Sequence, residues 1–263
     1  MSEFVQLEID RGTARVTLNR PDKRNALRRE MIEDLLAAVE SVSSDPAVRV
    51  LLLAARGEVF CAGMDLGQMQ ERATSDAAAE EYRRDSEVYC QLLTALWQLP
   101  VPSVACVQGP VLAGGMGMVC ACDIVIAAES VFFMLPEPMR GITASMVTPL
   151  LMHRIGPGPA GYMLLSNEKI SAAHARRFGL VHDLVPTGEL EERIAQLTGH
   201  ILSGSRSALA LTKQHIIGCL AAPVLDLLGD SVNVSARARE TEDAREGLAA
   251  FLEKRKPAWQ QSS

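Results

Sequence analysis

The sequence of 263 residues is long enough for one large domain with a smaller appendage, and it can bury a sizeable core. Hydrophobic residues make up 48% and charged residues 22% of it, values that exclude a disordered, collagen-like or coiled-coil protein. The net charge of -6 argues against a nucleic-acid-binding protein, because phosphate contacts require a basic excess or a basic stripe.

The first predicted elements are β-strands. Residues 4–9 and 14–18 alternate with period two around a polar turn, which predicts a hairpin. After a turn-rich loop at 19–25, apolar residues at helical spacing predict a helix over 28–42. The apolar run at 48–55 then predicts a strand buried on both faces.

The middle of the chain repeats this alternation of strand and helix. Residues 67–98 are charged in their first half and apolar at helical spacing in their second, which predicts a long helix entered through a mobile loop. Two further short strands are predicted at 102–108 and 123–128, separated by a glycine-rich stretch and a helix of small residues. This pattern predicts an α/β fold with ligands gathered where the strands end.

Strand signals stop after Pro186. Four largely helical segments follow, so a core at 1–200 and a helical oligomerisation region at 201–263 are expected; the segments are 189–203, 207–219, 224–239 and 241–254. Two of them carry wide apolar faces, formed by Leu209, Leu211, Ile216, Ile217, Val224, Leu227, Leu228 and Val232. These faces predict a subunit interface, with packing onto the same chain as the alternative.

The cysteines and the first residues bear on the compartment. The six cysteines lie mostly in apolar runs and lack zinc-ligand spacing, so they are interpreted as reduced core residues and no metal is expected; they are Cys61, Cys90, Cys106, Cys120, Cys122 and Cys219. The start of the chain lacks a basic stretch followed by an apolar segment, and the uncharged run 88–122 is interrupted by prolines, glycines and glutamines. A cytoplasmic protein without membrane contact is expected.

Two glycine-centred stretches about fifty residues apart are interpreted as one site; they are Phe60-Cys61-Ala62-Gly63-Met64-Asp65-Leu66 and Gly109-Pro110-Val111-Leu112-Ala113-Gly114-Gly115-Met116-Gly117. Each follows an apolar run and leads into a helical segment. A strand-to-helix turn presents main-chain N–H groups, which bind an oxyanion without any particular side chain. The alternative is two tight turns that only pack a helix on a sheet.

Five motifs in order resemble those of the crotonase (enoyl-CoA hydratase/isomerase) superfamily. They are Asn19-Arg20-Pro21-Asp22-Lys23-Arg24-Asn25-Ala26-Leu27, the stretch 60–66, the stretch 109–123, Leu135-Pro136-Glu137 and Phe178-Gly179-Leu180-Val181. The segment Phe251-Leu252-Glu253-Lys254-Arg255 is similar to the closing helix of that family. The resemblance runs nearly end to end and implies a ββα spiral with two sheets and a C-terminal trimerisation region.

The resemblance also implies acyl-CoA thioester substrates and a homotrimer or a dimer of trimers, with no separate cofactor because coenzyme A is part of the substrate. Backbone N–H groups of Met64 and Gly114 match the positions that hold the thioester oxygen. Such donors stabilise the developing charge by about 3 to 4 kcal/mol each, and the helix opening near Gly115 adds its positive end. Glycine at position 114 is expected to let the thioester approach the backbone.

The catalytic acids bear on which reaction follows formation of the enolate. Hydratases of this family commonly have two glutamates, at the positions of Gly117 and Glu137, and only Glu137 is present. Its apolar, proline-flanked setting is expected to raise the carboxyl pKa. One carboxyl shuttling a proton between two carbons favours a Δ3,Δ2-enoyl-CoA isomerase on side-chain chemistry alone.

The segment 141–149 favours a hydratase instead, because it resembles bacterial members assigned as hydratases of branched glutaconyl-CoA esters. Arg140 is then a candidate partner for the second carboxylate of such a substrate, with a surface or intersubunit ion pair as the alternative. The sequence therefore predicts an enoyl-CoA hydratase-type lyase, with the isomerase as runner-up. A decarboxylase and a non-catalytic acyl-CoA-binding scaffold are the further alternatives.

The family pattern also places coenzyme A. It places backbone groups near the adenine and pantetheine, at Ala62, Gly63, Asp65 and Leu66. It places the basic side chains of Lys23 and Arg24, with Ala26, near the phosphates. Phe251 and Lys254 match positions of the closing helix that contact coenzyme A. The alternative for Lys254 is a solvated helix end. Other enzyme classes fit less well, because the glycine stretch lacks the third glycine of a dinucleotide site and no G-x-S-x-G elbow is present. Cys61 beside the first turn is interpreted as a core thiol rather than a nucleophile.

Overall fold

The computed structural model describes residues 3–73, 77–220 and 222–258. The chain begins with the predicted hairpin, in which β1 (Val5–Asp10) pairs antiparallel with β2 (Thr13–Leu18). Helix α1 (Arg29–Ser44) and strand β3 (Val50–Ala55) follow as predicted. The first five residues of β3 are buried, because other strands flank it and helices cover its faces.

The middle of the chain contains more regular structure than the sequence predicts. Its elements are α2 (Leu66–Ala73), α3 (Ala78–Trp97), β4 (Ser103–Val107), β5 (Val111–Leu112), α4 (Gly114–Ala121), β6 (Ile124–Ala128) and β7 (Phe132–Met134). The expected mobile loop before the long helix is wrong for 66–73, which form α2. Asp65 begins this helix by accepting hydrogen bonds from the backbone N–H groups of Gly67 and Gln68, at 3.0 and 3.3 Å.

The remaining elements are mostly helical. They are α5 (Thr148–Ile155), α6 (Pro157–Ser166), β8 (Ile170–Ser171), α7 (Ala172–Arg177), β9 (Asp183–Val185), α8 (Leu190–Ser203), α9 (Arg206–Leu220), α10 (Ala222–Arg239) and α11 (Glu242–Leu252). The four helices predicted after Pro186 are confirmed within a few residues at each end. The division of the chain at residue 200, which falls within α8, stays a prediction.

Two sheets form from these strands. The larger has the order β1-β2-β3-β4-β6-β9 and is parallel apart from the β1–β2 pair. The smaller has the order β5-β7-β8, with β5 parallel and β8 antiparallel to β7. Parallel neighbours bring the carboxyl ends of β3 and β4 to one edge, so the two glycine stretches leave the sheet side by side.

The helical C-terminal part packs partly onto the core of the same chain. In α10, the side chains of Leu228 and Val232 join the main hydrophobic cluster, and the Cys90 thiol of α3 lies 3.7 Å from the Leu228 carbonyl oxygen. Leu211, Ile216 and Leu227 remain exposed. The alternative of packing onto the same chain therefore holds for the inner side of α10. Within the described ranges, no helix is both long and apolar enough to cross a membrane.

Candidate active site

The two glycine stretches contact each other, as predicted. Cys61 and Val111 form a parallel bridge, in which the Leu112 N–H donates to the Cys61 carbonyl at 2.9 Å. Gly63 has a φ of +90°, and a Cβ added there would lie 2.5 Å from the Ala113 Cβ and 3.3 Å from the Gly114 nitrogen. Only glycine combines this left-handed backbone with so close an approach. The structure therefore makes one site of the two turns.

Among the described residues, neither predicted oxyanion donor has a hydrogen-bond partner within the protein. The Leu27 N–H donates to the Gly63 carbonyl at 2.7 Å, and the Asp65 N–H donates to the Leu27 carbonyl at 2.8 Å. These two hydrogen bonds are made by the residues on either side of Met64, and the Met64 N–H itself has no hydrogen-bond partner among the described residues. Gly114 is the first residue of α4, so its N–H lies beyond the reach of the helix's own carbonyl groups.

A buried asparagine holds the loop before α1 against the first turn. The Asn25 side chain accepts from the Arg20 N–H and donates to the carbonyls of Arg56 and Val59, each at 2.8 Å. The Ala62 N–H donates to the Arg24 carbonyl at 3.0 Å. The backbone of the loop is thus fixed although the side chains of Lys23 and Arg24 are exposed.

A cavity of ≈ 690 Å³, including its open mouth, lies beside the two turns. Six of the predicted site residues line it: Ala62, Met64, Leu66, Gly114, Glu137 and Arg140. The apolar part of the wall is completed by side chains such as Met69, Ile142 and Met146. The cavity therefore combines a mostly apolar lining with a few polar groups, as small-molecule sites commonly do.

Glu137 is the buried carboxyl group of this cavity. It begins a short 3-10 helix, Glu137–Arg140, and only 6% of it is exposed. Its Oε2 atom is buried without a hydrogen-bond partner in the described chain. Burial raises the pKa of Glu137 to about 7, against the lowering effects of its own backbone N–H and of Arg140. The predicted direction is confirmed, and the carboxyl changes protonation near neutral pH.

The C-terminal helix α11 fixes the Glu137 segment from outside. A Cβ at Gly247 would overlap the Arg140 backbone, and one at Gly141 would overlap the Asp243 backbone. Two backbones are therefore in direct contact here. The Ile142 N–H also donates to the Glu137 carbonyl at 3.2 Å, so the segment that carries the acid is held on both sides.

Arg140 lies in the cavity wall rather than in an ion pair. Its Nη1 donates to the Pro136 carbonyl at 3.2 Å, and its guanidinium lies 4.5 Å from the ring centroid of Phe251. Its Nε is buried without a partner in the described chain. Burial lowers the pKa of Arg140, although the nearby Glu137 carboxylate raises it. The expected alternative, a surface ion pair, is not found among the described residues.

A tyrosine occupies the space beside Gly117. The Tyr89 hydroxyl of α3 donates to the Gly114 carbonyl, and a Cβ at Gly117 would overlap this hydroxyl oxygen. Tyr89 lines the cavity, is buried, and burial raises its pKa well above the ordinary value. A larger residue at 117 thus requires Tyr89 to leave the turn that carries the Gly114 N–H.

The remaining predicted residues lie outside the cavity wall. The Asp65 carboxylate accepts from Arg20 Nη1 at 2.7 Å, so its side chain serves the fold of the turn. Phe251 is 50% exposed and Lys254 is exposed beyond the end of α11.

At Gly114, an added Cβ would have Met64 Sδ as its nearest neighbour, at an ordinary contact distance of 3.4 Å. Nothing in the protein itself excludes a side chain there, so the thioester-approach argument for this glycine stays a prediction.

The sequence model described as Enoyl-CoA hydratase/isomerase matches residues 8–262. The chain belongs to the enoyl-CoA hydratase/isomerase family. It is 32% identical over 256 residues to the crotonyl-CoA hydratase of Syntrophomonas wolfei, covering 97% of this chain and 96% of that one. It is 32% identical over 243 residues to the 2,3-dehydroadipyl-CoA hydratase of Escherichia coli, covering 92% of both chains.

Solved structures of the family share the fold. An enoyl-CoA hydratase from Mycobacterium avium superposes with a TM-score of 0.86 at 32% sequence identity, covering 98% of this chain and 100% of that one. The crotonase-type α/β fold expected from the motifs is therefore confirmed.

Four polar residues of the cavity were not predicted from the sequence: Ser86, Tyr89, Ser235 and Arg239. Tyr89 reads as part of the apolar stripe of α3, and Arg239 reads as a charged helix end. These residues meet in the cavity because α3 packs against α10, and the periodicity of the sequence does not predict that packing.

Burial also settles the state of the Cys61 thiol. It donates to the Asn25 carbonyl at 3.3 Å and is fully buried. Burial raises the pKa of Cys61 to about 12, so the nucleophilic thiolate is absent at neutral pH. Among the described thiols no disulfide forms, and the Cys219 side chain lies outside the described residues.

Proposed function

We propose that this enzyme of the hydratase/isomerase family adds water reversibly to a 2-enoyl-CoA, with Glu137 as the acid–base group. The observation that carries the proposal is one cavity that contains one buried carboxyl and two main-chain N–H groups, those of Met64 and Gly114, without a hydrogen-bond partner among the described residues. The relatives named as hydratases support the same reaction.

Hydration at this site proceeds through an enolate. The Glu137 carboxylate takes a proton from water while the water oxygen bonds to the β-carbon, and the double-bond electrons move to the thioester oxygen. The N–H groups of Met64 and Gly114 hold this oxygen as its charge grows. The protonated Glu137 then gives the proton to the α-carbon. One molecule of water is added, and the carboxylate is restored.

The buried setting of Glu137 suits both halves of this cycle. A group with a pKa of about 7 accepts and returns a proton at neutral pH with little cost in free energy in either direction. Its Oε2, which lacks a protein partner among the described residues, is free to meet water or substrate.

Isomerisation of a 3-enoyl-CoA is the second candidate. The observation in its favour is that Glu137 is the only carboxyl group among the described residues that line the cavity. Glu137 would take a proton from the α-carbon and return it to the γ-carbon through the same enolate. This reaction needs no ordered water.

Coenzyme A is proposed to lie over the first turn. Lys23 and Arg24 offer exposed positive charge for its phosphates on a loop whose backbone is hydrogen-bonded to that turn. Ala26, Gly63, Asp65 and Leu66 would supply backbone contacts. Phe251 and Lys254 would approach the same ligand from the end of α11, in the same or a neighbouring subunit.

A homotrimer or dimer of trimers is proposed as the assembly, built through the region 201–263. Support comes from large apolar side chains that the single chain leaves in water, namely Leu211 at 65%, Ile216 at 54% and Leu227 at 50% exposure. The cytoplasm remains the proposed location, supported by free thiols at Cys61, Cys90, Cys106, Cys120 and Cys122.

Product masses test the reaction. The enzyme is incubated in deuterated water with a 2-enoyl-CoA, a 3-enoyl-CoA and a 3-methylglutaconyl-type CoA, and Glu137→Gln is the control. The proposal expects a 2-enoyl product heavier by one water, formed by the wild type and not by the variant. If the 3-enoyl ester is converted without gain of oxygen and the 2-enoyl ester is left unhydrated, the enzyme is an isomerase. Loss of carbon dioxide would instead identify a decarboxylase.

A further inference from the structure

The cavity contains a buried arginine that the hydration mechanism does not use. Arg239, near the end of α10, is only 8% exposed and lines the cavity with Ser86 and Ser235. Its Nη1 donates to the Tyr82 carbonyl at 3.2 Å and to Ser86 Oγ at 3.1 Å. These are its only hydrogen bonds to described residues, so Nε and Nη2 keep their donors for another partner.

No carboxylate of the described protein balances this charge. The neighbouring acid Asp85 is already bound by Arg29, at 2.7 Å, and by Arg72. Glu81 accepts from Arg29 Nη2 at 2.7 Å. Arg239 makes no ion pair in the described chain, and Arg72 adds a repulsive charge nearby. A buried cation without an anion is costly, so its retention calls for a ligand that supplies the anion.

The guanidinium remains charged under working conditions. Burial lowers the pKa of Arg239 to about 10, with a smaller lowering from Arg72 and an opposing contribution from Tyr82. One side of the group faces the Tyr82 ring, whose centroid lies 5.9 Å from Cζ. A free edge with parallel N–H donors matches the two oxygens of a carboxylate.

Helix α3 contacts both Arg239 and the turn that carries the Gly114 N–H. Tyr89 touches the Gly114 carbonyl, whereas Ser86 touches Arg239. Residues three apart are neighbours on one helix face, about one turn from each other. Apolar side chains such as Met69 and Met146 complete the wall of the cavity. This arrangement fits a short apolar chain with a thioester at one end and a negative charge at the other.

We propose that Arg239, with the hydroxyl group of Ser235, binds a carboxylate at the far end of the acyl chain, so that the substrates are short CoA esters of unsaturated dicarboxylic acids. Ser86 Oγ lies 3.2 Å from Ser235 Oγ, which places a second hydroxyl at the guanidinium. The inference rests on the proposed function only in taking acyl-CoA as the ligand. It assigns the carboxylate to Arg239 and not to Arg140.

Binding of unreactive ligands tests the inference separately from catalysis. Dissociation constants are measured by calorimetry for saturated pairs of equal length: succinyl- and butyryl-CoA, glutaryl- and pentanoyl-CoA, adipoyl- and hexanoyl-CoA. We expect the carboxylated ester of at least one pair to bind roughly 10- to 100-fold more tightly, as a charge-assisted hydrogen bond provides. Arg239→Met should abolish this preference and leave the Kd of the plain ester within about twofold.

Matched variants separate binding from folding. Arg237→Met removes an exposed arginine of the same helix and should keep the preference. Arg239→Met should not lower the urea midpoint, because it removes an unbalanced buried charge and the Tyr82 carbonyl still accepts from Ser86 Oγ at 2.9 Å. A lowered midpoint with an unchanged preference would show a structural role. Arg239→Lys, which keeps the charge and loses the fork, should retain part of the preference.

Three results would overturn the inference. The first is equal binding of both esters by the wild type at every length. The second is a preference for the carboxylated ester that survives Arg239→Met, or that survives the double variant Ser235→Ala with Arg239→Lys. The third is a preference that is lost in Arg140→Met but kept in Arg239→Met. Failure of the hydratase proposal looks different. In that case the carboxylated esters bind with the Arg239-dependent preference, but no 2-enoyl ester gains water.

Discussion

Gly117 and Tyr89 should be energetically coupled, because Tyr89 occupies the space into which a larger residue at 117 would extend. A Cβ at 117 would overlap the Tyr89 hydroxyl oxygen but would lie 3.3 Å from its Cζ and 3.2 Å from Leu93 Cδ2. Gly117→Ala therefore overpacks the site, at about 1 to 3 kcal/mol, against a helix-propensity gain of up to about 1 kcal/mol. We expect a net loss of about 1 to 2 kcal/mol.

Removing the hydroxyl should relieve this clash. Tyr89→Phe alone should cost about 1 kcal/mol through the lost hydrogen bond to the Gly114 carbonyl. In that background Gly117→Ala should be nearly neutral, so the double variant is less destabilised than the sum of the two single variants by about 1 to 2 kcal/mol.

Urea unfolding followed by circular dichroism at one protein concentration measures this cycle. The control is Gly199→Ala in α8, where an added Cβ meets nothing within 4 Å, and it should be neutral or stabilising. Additive effects of Gly117→Ala and Tyr89→Phe would refute the packing argument. So would a Gly199→Ala variant that is as unstable as Gly117→Ala.

Three further predictions concern titration, coenzyme A and the buried thiol. The folded Glu137 has a pKa of about 7 against an ordinary 4.5, so the native state binds more protons than the unfolded state between these pH values. The contribution of Glu137 to the free energy of unfolding is therefore full below pH 4.5 and falls by about 3 kcal/mol as pH rises through 7. Urea midpoints across this range should show the fall in the wild type and lose it in Glu137→Gln. Replacing Lys23 and Arg24 together by methionine should raise KM for the CoA ester by roughly tenfold and leave KM for the matching pantetheine thioester unchanged, since only CoA carries the nucleotide phosphates; equal effects on both esters would contradict the placement. Cys61 should resist iodoacetamide in the native enzyme, as its pKa of about 12 keeps it a thiol, and rapid inactivation with labelling of Cys61 would contradict its assignment as a core residue.

Much of the larger sheet was predictable, because its strands are long enough for a pattern to repeat. Thr13–Leu18 alternates buried and half-buried residues, and Val50–Ala55 reads as a continuous apolar run. The family resemblance implied a second sheet, but the sequence pattern did not locate its strands. Its strands have two or three residues each, too few to show a period.

The candidate site was predictable where neighbouring residues in sequence build it. The turns around Met64 and Gly114 each carry their own glycine signal, and the proline-flanked Glu137 has an apolar setting that is visible in the sequence. Tyr89 and Arg239 depend on contacts between distant helices. Their polar atoms reach the cavity only because α10 packs on α3, and no local pattern encodes that packing.

Glu137 is the group on which the account depends, so its removal is the most direct test. The kcat for hydration of crotonyl-CoA is compared between the wild type and Glu137→Gln, together with the Kd of butyryl-CoA, which reports whether the cavity and both N–H donors are intact. The account predicts a kcat lower by roughly 10²- to 10⁴-fold with the Kd nearly unchanged. A variant that binds butyryl-CoA normally and still hydrates crotonyl-CoA at the wild-type rate would contradict it.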